Sequence, residues 1–200
     1  MQICVCGWYY YPSFYETLVK LRGIGGPAAV VIRHQPGDTQ GLLCIDRENV
    51  GLEWGAYSYY LDKVWDGHSD VLFTQDDIEV FDLSFFGWTA TIQEDICFIF
   101  NNDREARYNG TAHGRMFFAS SRFLIAATTL GGFWYDQGNH GFIAKGNYRT
   151  EKPPPGCSHH NAGIHRFTSF VPKIRKYNTE IKKRAYLCDP RVKLGRRGKF

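Results

Sequence analysis

Asp76, Asp77 and Glu79 follow closely on the apolar run Val71-Leu72-Phe73, separated from it only by Thr74-Gln75. Two adjacent carboxylates with a third two residues on suit a hard divalent cation and the phosphates such a cation carries. A second group of metal-type side chains, Cys157, His159, His160 and His165, lies far downstream. The separation of His160 and His165 is a permissible zinc spacing. No second cysteine accompanies Cys157, however, and the chain has no C-x-x-C pair, so a zinc protein is the weaker reading of that cluster.

Carboxylates need an element to deliver them. Residues 71–73 read as a buried strand, and in an open α/β sheet a strand with acids at its C-terminal end points them into a ligand crevice. Upstream, Trp54, Tyr57, Leu61, Val64 and Trp65 recur at helical spacing until Gly67 breaks the pattern. Residues 3–6 read as a first buried strand. Pro12-Ser13 then opens a helix with Phe14, Leu18 and Leu21 on one face. Residues 28–32 are a second continuous apolar strand, residues 33–40 a polar loop, and residues 42–45 a short third strand. This alternation predicts an α/β fold with a mostly parallel central sheet flanked by helices. The second half is less regular. It offers strands at 96–100 and 114–118, a helix from Ser120 or Ser121 to residue 130, a stiff Pro153-Pro154-Pro155 spacer and a short helix near 179–187.

Two hundred residues suffice for one domain with a sizeable core. Aromatic content is high at 16%, which suits stacking on sugars and bases as well as filling a core. No apolar window of about 18 residues occurs, which excludes a membrane-spanning helix. The start lacks a signal-peptide pattern, so the sequon Asn109-Gly110-Thr111 is read as chance. The six unpaired-looking cysteines point to a reducing cytoplasm. Charge is uneven: residues 173–200 carry 11 Lys or Arg and two acids, leaving 13 and 18 for the rest. The chain therefore divides into a mildly acidic body, 1–172, and a basic extension, 173–200, suited to an anionic partner such as nucleic acid or a membrane surface.

The order of these signals resembles the GT-A class of nucleotide-sugar glycosyltransferases over residues 3–165, and also resembles rhamnan-synthesis and glycosyltransferase-like proteins. The resemblance rests on Asn49-Val50-Gly51 opening a helix and on the apolar strand ending in Gln75-Asp76-Asp77, which stands where the class has an Asp-x-Asp motif. Here Gln75 replaces the first acid. The resemblance implies a single GT-A-like domain and a nucleotide-sugar donor held through Mn2+ or Mg2+. Asp77 would be the main ligand, with Asp76 or Glu79 assisting, and His159, His160 or His165 completing the shell. Asp76, Asn49 and Gly51 would line the donor site. Arg33 would meet the nucleotide or its phosphates, and Tyr9 and Tyr10 would stack on its base.

On the acceptor side the resemblance places Arg115, within Gly114-Arg115-Met116-Phe117-Phe118-Ala119, and Trp134. Asp136 would take the proton from the acceptor hydroxyl, with Asp103 as the competing acid. The implied reaction is an inverting sugar transfer to a hydroxyl of a glycan, of a lipid-linked acceptor or of a hydroxylated base in DNA. A non-enzymatic nucleic-acid-binding module using the basic tail and the aromatics is the alternative.

Overall fold

The computed structural model describes residues 1–49, 52–99, 115–129, 183–184 and 190–194. The apolar runs form strands β1 (Gln2–Gly7), β2 (Ala29–Arg33), β3 (Leu43–Asp46) and β4 (Val71–Gln75), as their continuous hydrophobicity predicts. Helix α1 (Pro12–Gly23) joins β1 to β2, with Pro12 at its first turn, where a missing N–H costs nothing. Helix α2 (Leu52–Lys63) leads towards β4. Gly67, at φ +82°, lies in the turn between them.

Beyond β4 come β5 (Ile78–Val80), α3 (Ser84–Thr89), β6 (Ile96–Phe98), β7 (Met116–Ala119) and α4 (Ser121–Thr129). Ser120 caps α4 by accepting the Phe123 amide at 3.1 Å. Two pieces of the basic extension are strands, β8 (Lys183–Arg184) and β9 (Val192–Leu194). A short helix was the expectation around 179–187. At residues 183–184 the backbone instead lies parallel to β6, where a sheet edge offers it partners.

The main sheet has seven strands in the order β3-β2-β1-β4-β7-β6-β8. All neighbours pair in parallel except β7, which runs against both β4 and β6. The expected mostly parallel α/β sheet is what forms. Alternate residues feed two cores. Cys4, Cys6, Val71, Phe73 and Phe117 pack with Trp54, Tyr57 and Tyr60 of α2 and with Phe123 and Leu124 of α4. Ile3, Val5, Leu72 and Phe118 pack on the other side with Phe14 and Leu18 of α1 and Phe85 and Phe86 of α3. The Phe73 and Phe117 rings stack at 4.9 Å, with Tyr57 edge-on to Phe73 at 5.1 Å. Much of the aromatic surplus is therefore core, each ring pair adding about 1 kcal/mol beyond its buried area.

Candidate functional site

From β1 the chain crosses to β2 and β3 on one side, while β4 lies on the other. The carboxyl ends of β1 and β4 thus diverge around a topological switch point, where open α/β sheets form their crevices. The loop after β1 and the acids after β4 meet there.

Asp76 spans the gap. Its carboxylate accepts the backbone N–H groups of Trp8 at 2.9 Å, Tyr9 at 2.9 Å and Tyr10 at 2.7 Å, and the Tyr15 hydroxyl at 3.0 Å. Three successive amides turned inward make an anion-binding concavity, and Tyr10 adopts φ 54° within it. The anion seated there is Asp76 itself. Burial pushes its carboxyl upward, against the pull of the amides and the Tyr15 hydroxyl. The Tyr15 and Tyr10 phenols are both raised above their ordinary range, by burial first and by Asp76 second.

Asp77 is fully buried and faces Arg115, whose Nη1 lies 3.2 Å from Oδ2. Strand pairing explains the meeting. The antiparallel register sets Thr74 opposite Met116, and the Gln75 amide donates to the Arg115 carbonyl at 2.7 Å. The start of β7 is thereby fixed beside the end of β4. Glu79 faces Lys193 of β9 at 2.8 Å.

The other sequence-predicted groups divide. Arg33 forms a two-pronged pair with Asp46, with Nη2 to Oδ2 at 2.7 Å, on the neighbouring strand. The Tyr10 ring stacks on Tyr15 at 5.8 Å, and it lies so close to Gly37 that a Cβ there would stand 2.3 Å from the ring. Tyr10 thus packs within the loop, against Tyr15 and Gly37. Tyr9 lies on the same loop, edge-on to Tyr11 at 6.2 Å. Asn49 stands just before α2, and neither polar atom of its buried amide meets a hydrogen-bond partner among the described residues. Gly51, Asp103, Trp134, Asp136, His159, His160 and His165 lie outside the described residues.

His34, one residue beyond β2, was not singled out in the sequence. Both ring nitrogens are buried without a hydrogen-bond partner among the described residues. Burial, assisted by Arg47, lowers its pKa to about 4, so it is neutral at pH 7. The available signal was position: a histidine directly after a buried strand, on the edge where ligands bind. The Trp8 ring lies 6.4 Å from it.

Of the implied divalent-cation ligands, only Asp76, Asp77 and Glu79 lie among the described residues. Among the described residues no three His, Cys, Asp or Glu side chains form a group that could hold a metal ion. Asp76 is filled by amides, Asp77 faces a guanidinium and Glu79 faces an ammonium.

The sequence matches no protein-family model and no curated protein. Similar solved structures include HddC from Yersinia pseudotuberculosis, 8% identical over 62% of this chain and 77% of that one, with TM-score 0.40. A protein described as a glucose-1-phosphate thymidylyltransferase from Bacillus anthracis is 13% identical over 93% of this chain and 85% of its own, at 0.45. The glycosyltransferase GlyE of Streptococcus pneumoniae is 14% identical over 92% of this chain and 44% of its own, at 0.43. Likeness at this level bears on neither substrate nor chemistry.

Proposed function

We propose that the chain binds a nucleotide-sugar in the crevice at the carboxyl ends of β1, β2 and β4 and transfers the sugar to a hydroxyl acceptor. The observation that carries the reading is a pair of buried, unsatisfied polar side chains on that edge, Asn49 and His34, among the described residues. Unpartnered buried polar groups are rare and call for an explanation, and a ligand with hydrogen-bonding edges supplies one. The sequence pattern of an Asn-x-Gly helix followed by an acid-tipped strand supports the same class. In the transfer, the acceptor oxygen attacks the anomeric carbon and the bond to the diphosphate oxygen breaks with its electrons leaving on that oxygen. The acceptor proton passes to a carboxylate, assigned from sequence to Asp136 with Asp103 as the competitor. Positive charge near the diphosphate stabilises the leaving group as it develops.

The test is a thermal-shift screen of uridine, guanosine and cytidine diphosphate sugars, run in parallel with manganese and with chelator. A rise in melting temperature with one nucleotide class supports the reading. A flat response across the panel under both conditions would sink it. His34→Ala and Asn49→Ala, if still folded, should each weaken the response at least tenfold.

A further inference from the structure

We propose that Trp8 and His34 form the base subsite of this crevice: the base of the nucleotide takes the place now held by the Trp8 ring, stacks on the indole and turns its hydrogen-bonding edge to the imidazole. The inference rests on the nucleotide-sugar reading above and names the side chains that tell one base from another. Its ground is that the main chain of His34 is committed and its ring is not. The His34 amide donates to the Gly7 carbonyl at 3.2 Å, whereas both ring nitrogens are buried without a hydrogen-bond partner among the described residues. The ring packed against this imidazole is that of Trp8, with centroids 6.4 Å apart and planes at 62°. Such a contact shields the imidazole from water and leaves its nitrogens unpaired.

The Trp8 ring is the part of this wall built to yield. The Trp8 amide donates to Asp76 of the β4 end at 2.9 Å, and its carbonyl accepts the Gln35 side-chain amide at 2.7 Å. With the main chain held from both sides, the half-buried ring moves by its side-chain torsions alone. Binding then orders little backbone, which keeps its entropic cost low. Asp76 is the positioning residue, acting on the base through Trp8. An indole face stacks on any base and supplies affinity without choice. The imidazole supplies the choice. Kept neutral at pH 7 by burial and by Arg47, it offers one donor and one acceptor. A base that satisfies them is retained, and one that leaves them unpaired is rejected.

The experiment measures affinities of the full chain for uridine, guanosine, cytidine and adenosine diphosphates, with manganese present, by tryptophan fluorescence and by calorimetry. Wild type should prefer one base at least about tenfold. His34→Ala should bring all four nucleotides within about threefold of one another, a change that general damage to the loop would not produce. His34→Gln, which keeps a donor and an acceptor in another geometry, should retain part of the preference and guards against an alanine variant that fails to fold. Trp8→Phe keeps a ring to stack on, so at saturation it should bind within about fivefold of wild type and lose most of the fluorescence change. A preference undiminished in the folded His34 variants, however far the overall affinity falls, overturns the inference and leaves the nucleotide reading standing. So does a wild-type chain that binds every base equally, or a full fluorescence change in Trp8→Phe. Absence of nucleotide binding by the wild-type chain overturns both.

Discussion

Removing the Asp76 carboxylate leaves the Trp8, Tyr9 and Tyr10 amides and the Tyr15 hydroxyl without their acceptor. Each abandoned buried donor costs about 1–3 kcal/mol, less whatever water recovers. Asp76→Ala should therefore destabilise the fold by roughly 3–5 kcal/mol in urea titration. Tyr15→Phe, which removes one donor and keeps the ring, should cost only about 1 kcal/mol. If Asp76→Ala unfolds at the wild-type urea midpoint, the carboxylate does not hold the loop. Sequence showed that residues 76, 77 and 79 were acids at a strand end, and in the structure the first two directly follow β4 while Glu79 lies in β5. It could not show their separate uses, because those depend on which groups the fold brings from afar, the loop amides on Asp76 coming from 66 to 68 positions away. Arg115 was read as lining an acceptor, and its meeting with Asp77 became visible only with the antiparallel register of β4 and β7.

Strand β9 lies antiparallel to β5 and brings Val192 into the core shared by α1 and α3. Arg191 lies over the Phe85 and Trp88 rings at 5.8 and 5.4 Å and donates to the Ser84 hydroxyl at 3.2 Å. The Lys193–Glu79 pair is half exposed on the lysine side. Exposed ion pairs contribute at most about 1 kcal/mol, whereas buried apolar groups and desolvated cation–π contacts contribute more. Lys193→Ala should consequently lower stability by less than about 1 kcal/mol. Arg191→Ala should cost roughly 1–2 kcal/mol and speed exchange of the Phe81 amide, which donates to the Arg191 carbonyl at 2.8 Å. Equal costs for the two substitutions would show that packing does not hold this strand. Helices α1, α2 and α4 and strands β1 to β4 were legible because long apolar runs and helical spacing are local signals. The strands β5, β8 and β9 are two or three residues each. So short a strand has no periodicity of its own, and a distant partner determines it.

The titrating groups set how the whole molecule responds to acid. His34 has its pKa lowered from 6.5 to about 4 by burial. Its native form is neutral, and the unfolded chain binds the extra proton between those values. Stability is therefore fully present above pH 6.5 and falls as pH drops towards 4, by up to about 3 kcal/mol. Asp66 is lowered from 3.8 to about 2 by the Ser69 hydroxyl and the His68 and Ser69 amides, so its contribution is lost in a separate window, from pH 3.8 towards 2. Unfolding free energies measured from pH 7 to 4 should fall steeply in wild type and more gently in His34→Gln; parallel curves would refute the assignment. Salt dependence gives a second measurement at this scale. Arg191 and Lys193 are already engaged within the fold, so if the basic extension binds DNA, neutralising these two should leave the salt slope of binding nearly unchanged. The same strand carries a kinetic consequence. Arg191 reaches Ser84 across 107 positions of chain, a large loop to close before any contact rewards it. The segment beside the acids should thus be the last to acquire protection during refolding, and a protease pulsed in early should cut there while β1 to β4 already resist.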